Sequence, residues 1–223
     1  AGEPHGAGGH PLAWAEPAAL PEYAFPAANQ PIIAAARLPR RYLITPEDRS
    51  PRQLLEGIAA ALDTGIHLLQ LRAPDLSDAA YRALANDALA LCAGRAQLML
   101  KGPLEWAADF PAAGWHLTSA QLRRMAAQGR PLPSERWLAA SCHDAAELAL
   151  ATAAGVDFVT LSPVRATATH PDAAPLGWSR ASELLLGFNQ PAYLLGGLGH
   201  GDLARALHAG AQGVAGIRAF WPD

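Results

Sequence analysis

Only two cysteines, Cys92 and Cys142, occur in 223 residues, and no CxxC spacing joins them. That excludes a disulfide framework and predicts a reducing, cytoplasmic setting. Charge is also scarce: 17% of residues are charged, the formal charge is −3 and the sequence pI is near 6.2. Such a balance offers no basic footprint for a nucleic-acid polymer. No apolar run has the length of a membrane span. No charged n-region followed by an apolar h-region opens the chain, so no secretion signal is expected. No GxGxxG follows an early strand, which argues against a dinucleotide-binding open sheet. What is present is apolar. Hydrophobic residues make up 51%, enough for a sizeable core.

The chain divides unequally. Residues 1–39 are dense in Pro and Gly and carry one expected helix, Ala27–Arg37, with Pro31 in its first turns. So short a segment cannot bury a core of its own and must dock. From Arg41 onward, short Leu/Val/Ile runs alternate with Ala-rich helical stretches. Strands are expected at Arg41–Thr45, Ile66–Arg72, Ala96–Lys101, Gly114–Thr118, Trp137–Ser141, Asp157–Ser162, Ala192–Leu195 and Gly213–Ile217. Helices are expected between them, opening at Ser50–Pro51, Ser77–Asp78, Asp144 and Asp202, where cap residues stand. The predicted fold class is α/β, a compact TIM (β/α)8 barrel preceded by the Pro/Gly-rich segment. Only Arg218–Asp223 follow the last strand, so the final helix should be short or missing. The front helix is then expected to cover the sides of strands eight and one through Ile32, Ile33, Ala36 and Leu38.

Alternation along the strands places Gln70 and Arg72 on one face, His116 and Thr118 on another, then Ser141 with His143, and Thr160 with Ser162. Lys101 ends the third strand. Polar pairs are costly against helices, so they should point into the barrel mouth, where function sits in this fold. The resulting mouth is polar, basic and nearly free of carboxylates. It favours an anionic ligand over a magnesium cage. Glycine turns at Gly196-Gly197-Leu198-Gly199 and Gly216-Ile217-Arg218 follow strands seven and eight, where backbone N–H groups cradle phosphate. Thr167 and Thr169 would add hydroxyl donors. His116 and His143 are acid–base candidates. A zinc site from Cys142, His143 and His170 is disfavoured because adjacent residues ligate one ion poorly. The six tryptophans should be packing residues, with Trp178 near the mouth.

Tyr42-Leu43-Ile44-Thr45, Leu69-Gln70-Leu71-Arg72, Gly114-Trp115-His116-Leu117, Ser141-Cys142-His143, Leu161-Ser162-Pro163-Val164 with Thr167-Ala168-Thr169, and Leu195-Gly196-Gly197-Leu198 stand in this order. Together they resemble thiamine-phosphate synthase and its relative TenI, the thiazole tautomerase. The resemblance implies a barrel that binds thiazole phosphate or a thiamine-phosphate-type ligand. The synthase joins thiazole phosphate to a pyrimidine pyrophosphate held by magnesium. Carried over position by position, the resemblance implies catalytic roles for His143, Ser141 and Arg72. It implies phosphate contacts from Thr167, Thr169, Gly196, Gly197, Gly216 and Ile217, and substrate contacts from Gln70, Lys101, His116 and Ser162. Departures fall on the pyrophosphate side. Arg72-Ala73-Pro74 replaces Arg-Glu-Lys, Lys101-Gly102 replaces Asn-Asp, Gln121 stands where an acid is usual, and His170 replaces a lysine. No metal ligand is assigned. Magnesium stays open as a cofactor, but its usual acids are missing. Transferase and isomerase activities are both compatible with this pattern.

The front segment carries a second resemblance. His10-Pro11-Leu12-Ala13-Trp14, Pro17 with Leu20, and Phe25-Pro26-Ala27-Ala28-Asn29 before Ile32-Ile33 resemble the tail of a MutT-type Nudix hydrolase. This implies that residues 1–39 are the C-terminal remnant of a Nudix domain and residues 40–223 the barrel. Asn29 would read an oxidised guanine base only with the full Nudix domain upstream. The alternative function is then a non-catalytic sensing or scaffold module serving that hydrolase. A second copy of the chain is an open partner.

Overall fold

The computed structural model describes residues 12–167 and 174–222, with Gly6 and Gly8. Thr169 and His170 lie outside the described residues, as do His10 and Pro11. Eight parallel strands close into a barrel in chain order: β1 (Arg41–Ile44), β2 (Leu68–Leu71), β3 (Gln97–Leu100), β4 (Gly114–Leu117), β5 (Leu138–Cys142), β6 (Phe158–Leu161), β7 (Ala192–Leu194) and β8 (Gly213–Gly216). Closure sets Tyr42 of β1 opposite Ala215 of β8. The expected α/β barrel is therefore the fold. Its outer helices are α2 (Pro51–Asp63), α3 (Asp78–Cys92), α4 (Ser119–Met125), α5 (Ala145–Ala153), α6 (Gly177–Leu185) and α7 (Leu203–His208). Between Pro103 and Phe110 there is room for little more than one turn, and Leu104–Asp109 tightens into a 3-10 helix. Among the described residues, no helix is long and apolar enough to cross a membrane.

Caps fix where these helices begin. Ser50 and Gln53 form a reciprocal capping box on α2, and Thr118 with Gln121 does the same on α4. Ser77 caps α3, and Asp144 accepts a hydrogen bond from Glu147 N at 2.8 Å to open α5. With the starts fixed, strand parity decides what fills each layer. Leu43, Leu69, Leu71, Leu100, Trp115 and Leu117 face the helices. Tyr42, Leu68, Met99, Ala139, Phe158, Tyr193 and Ala215 fill the barrel. The rings of Tyr42, Phe158 and Tyr193 meet at 5.4–5.6 Å between centroids, two of the three contacts edge-to-face.

The front segment closes the floor of this barrel. After a 3-10 turn at Ala27–Asn29, helix α1 (Gln30–Arg37) sends Ala34, with Leu38 just beyond it, into the interior cluster. Gln212 Nε2 donates to Ala35 O at 3.0 Å and Leu38 O at 2.7 Å. Tyr193 Oη donates to Pro39 O at 2.6 Å. Arg37 lies 4.7 Å over the Trp137 ring. These partners sit inside the barrel or just before its strands, so α1 lies across the N-terminal end. Gly213 permits the approach, because a Cβ there would meet Arg40 O at 2.0 Å.

This corrects the expected placement over the sides of β8 and β1. That gap is filled by the single turn after β8. Phe220 is buried beside Gly216, and Trp221 is seated on Gly57 of α2. The apolar face of α1 is also shifted. Ile33, Ala34 and Leu38 are buried, while Ile32 is 69% exposed. Trp115 is a core residue, but Trp14 is 91% exposed. Trp178 lies between the guanidinium groups of Arg165 and Arg205, at 5.5 and 4.6 Å, and does not line the mouth.

Candidate active site

Side chains at the C-terminal ends of the strands open into a cavity of about 780 Å3. Gln70, Arg72, Lys101, His116, Ser141, His143, Ser162, Thr167, Gly196 and Ile217 all line it. Gly197 and Gly216 line an adjoining cavity of about 420 Å3, which shares Thr167, Gly196 and Ile217 with the first. Asn29 is elsewhere. It opens α1 at the opposite end of the barrel.

A continuous hydrogen-bonded chain crosses the mouth. Gln70 Nε2 donates to Tyr42 Oη at 2.9 Å, which sends the tyrosine proton toward His116 Nδ1 at 3.0 Å. His116 therefore carries its proton on Nε2, which lies 3.1 Å from Ser141 Oγ and 3.5 Å from Thr160 Oγ1. Lys101 Nζ donates to the same Ser141 Oγ at 3.1 Å. Ser141 thus accepts twice, and its own hydroxyl proton is left for the cavity. Burial, then the nearby Lys101 and Arg72 charges, hold the His116 pKa well below its usual value, so the ring is neutral. Burial pushes the Tyr42 hydroxyl pKa upward, keeping it a donor. Tyr42 reads as an ordinary strand residue in sequence, and nothing there announces its place in this chain.

Lys101 is displaced in the other direction. Burial, then the Arg72 guanidinium, lower its pKa to about 8, against the pull of Glu47. In the unfolded chain a lysine titrates near 10.4. Between these values the unfolded state holds more protons, so the contribution of this site to stability rises with pH. Its full penalty applies below about pH 8. Wild type should gain up to about 3 kcal/mol relative to Lys101→Met between pH 7.5 and 10.5. Urea unfolding of both proteins across that range checks this, and a constant difference would contradict it.

His143 sits at the exposed rim of the mouth. Its Nδ1 lies 2.7 Å from Ser162 O, and a carbonyl can only accept, so Nδ1 carries the proton and Nε2 the lone pair. Its backbone N–H donates to Glu147 Oε2 at 2.8 Å, and the other carboxylate oxygen meets Arg123 at 2.6 Å. Glu147 is a buried acid that sequence reading missed. Its only signal is the position four residues after His143 on a capped helix. Arg72 is less available than its motif suggests, because Nη2 lies 2.6 Å from Glu47 Oε1. Glu47, from the loop after β1, thus sets a carboxylate beside a mouth expected to have almost none.

The end of the mouth after β7 and β8 is made by backbone. Gly196 and Gly197 take φ of +104° and +63°. A Cβ would meet Pro163 Cα at 2.8 Å on the first and Ala166 O at 2.9 Å on the second. The loop after β6 is zipped onto this turn, with Val164 N donating to Leu195 O and Arg165 N to Gly196 O. That brings Thr167 to the glycines. Arg218 also lines the adjoining cavity and adds a cation there.

The chain matches the family profile described as thiamine monophosphate synthase over residues 41–220. It is 32% identical over 184 residues to a putative thiamine-phosphate synthase 2 of Aquifex aeolicus, covering 82% of this chain and 98% of that one. It is 31% identical to the thiamine-phosphate synthase of Prochlorococcus marinus strain MIT 9303, covering 78% of this chain and 49% of that one. The chain therefore spans about half the length of some relatives. In structure it resembles the thiamine phosphate pyrophosphorylase from Pyrococcus furiosus, with a TM-score of 0.65, 18% identity, and 85% and 87% of the two chains covered. With this barrel, this mouth and a profile match across nearly all of it, the chain belongs to the thiamine monophosphate synthase (TMP-TENI) family.

Proposed function

We propose that this barrel binds a thiazole phosphate through the turns after β7 and β8 and moves protons on it with His143. On this reading it does not join that ligand to a magnesium-bound pyrophosphate. One observation carries the reading. Gln121 Nε2 donates to Gly102 O at 2.8 Å, so the two positions where relatives in the family pattern hold acids are tied to each other. Gln121 Oε1 is already committed to Thr118 N at 2.9 Å. Neither position offers a carboxylate to a divalent cation, which takes hard oxygen ligands. Among the described residues, no three His, Cys, Asp or Glu side chains gather where they could share an ion. Lys101, beside Gly102, supplies positive charge instead. The described residues at these positions therefore do not fit magnesium.

What remains is a phosphate cradle, a hydroxyl donor at Ser141 and a rim imidazole with a free Nε2. That set suits proton transfer on a held ligand, which is isomerase rather than transferase chemistry. Titration with thiazole phosphate in magnesium and in chelator should give the same affinity. A strong magnesium requirement would contradict the reading and point to Asp75, the nearest carboxylate in the motif after β2. Binding without turnover would favour a sensing module.

A further inference from the structure

Lys101 is the only lysine in the chain; the other sixteen Lys/Arg positions are arginine. This one amine stands at the end of β3, in the wall of the large cavity. Its hydrogen-bond partner is the Ser141 hydroxyl, and among the described residues it forms no ion pair with a carboxylate. Where only charge is wanted, arginine serves, as it does elsewhere in this protein. An amine differs from a guanidinium in that it can lose its proton and attack carbon.

We propose that Lys101 is a Schiff-base-forming amine, which condenses with the aldehyde or ketone of a small phosphorylated carbonyl compound held in this mouth. Geometry supplies the parts. The phosphate would sit in the glycine turns, which is where this inference rests on the proposed function. The carbonyl would lie in the large cavity that adjoins those turns at Thr167, Gly196 and Ile217, facing Lys101 and Ser141. Neutral Nζ adds to the carbonyl carbon, and the carbonyl oxygen takes the Ser141 hydroxyl proton. Ser141 regains a proton from the nitrogen through the Lys101–Ser141 hydrogen bond. The carbinolamine hydroxyl then takes a proton from solvent in the open mouth and leaves as water, while the nitrogen lone pair forms C=N; the resulting iminium N–H returns that proton to solvent. One carbonyl and one amine become one imine and one water, so no oxidant or reductant is required. Burial and then the Arg72 guanidinium disfavour the ammonium, while the Glu47 carboxylate opposes them; the neutral His116 adds no charge. With a pKa of about 8, roughly a tenth of this amine is neutral at pH 7, against far less than a hundredth for a free lysine.

The test uses the full chain, dihydroxyacetone phosphate and sodium borohydride, read by intact mass and peptide mapping. A single reduced adduct on Lys101 is expected, with the α-amino group unlabelled at the same exposure. Excess inorganic phosphate should suppress it, and Lys101→Arg, which keeps the cation, should lose it entirely at an unchanged melting temperature. Mapping on the wild-type chain does not depend on that variant folding. Labelling confined to the α-amino group, or no faster at Lys101 than there, overturns the proposal. Inorganic phosphate titrated into wild type separates the two failures. Phosphate binding without a Lys101 adduct sinks the amine alone. A Lys101 adduct that forms without phosphate binding sinks the pocket reading and, with it, the stated substrate class.

Discussion

Removal of residues 1–40 is expected to lower the melting temperature of the barrel sharply or to leave it insoluble. The segment is the floor of the barrel, and its loss opens the interior rings of Tyr42, Phe158 and Tyr193 to water. Ile33 and Leu38 are more than nine-tenths buried, and each such side chain contributes about 1.5–3 kcal/mol. Two hydrogen bonds from Gln212 and one from Tyr193 are lost as well, each with a net contribution of about 1 kcal/mol. The sum is roughly 5–10 kcal/mol, comparable with the whole stability of a typical domain. Thermal melting of residues 41–223 beside the full chain decides it. An unchanged midpoint would mean that the floor contacts contribute nothing. A finer control is Gln212→Leu, which removes the amide that holds the last turn of α1 and should destabilise by about 1–3 kcal/mol.

His143→Asn should reduce proton-transfer turnover on thiazole phosphate by about 10²–10⁴-fold, the usual contribution of one general acid–base group. The reason is the fixed tautomer. Nδ1–H is held by Ser162 O at 2.7 Å, so Nε2 is the one nitrogen free to take a proton. Asparagine can keep a donor near that carbonyl but has no basic nitrogen. Phosphate affinity should barely change, because the glycine turns lie on other strands. A variant that turns over at the wild-type rate would remove His143 from the chemistry and leave Ser141 as the group to test. A variant that loses binding as well would show that His143 holds the ligand.

Much of this site could be read from sequence because strand alternation is a local rule. Once Gln70 was placed inward, Arg72 followed, and the same parity carried His116, Ser141, His143 and Ser162 into one mouth. Cap residues worked for the same reason at Ser50, Ser77 and Asp144, which act within three residues of themselves, whereas Asp202 makes no side-chain cap on α7 and pairs with Arg165. What escaped is long-range. Nothing near α1 says that it will meet Gln212, which stands more than 170 residues away. The choice between Ile32 and Ile33 as the buried residue depends on that docking, and periodicity over eight residues could not make it. Glu47 was missed because a loop after a strand has no period. The Gln121–Gly102 contact joins the first turn of α4 to the end of β3, and sequence showed only that two acids were missing.

The central claim is that ligand phosphate is held by the backbone of the turns after β7 and β8. Its most direct test is calorimetric titration of thiazole phosphate into wild type and Gly197→Val, side by side. Gly197 has a φ of +63°, and its missing Cβ would lie 2.9 Å from Ala166 O and 3.0 Å from Arg165 Cβ. Valine must therefore push the β6 loop away or leave the left-handed region, and either change spoils the cradle. Loss of two charge-assisted hydrogen bonds would weaken binding by about a hundredfold or more. The account predicts one-site binding to wild type and that loss in the variant, with the barrel still folded. Equal affinities would place the phosphate elsewhere in the mouth and contradict it.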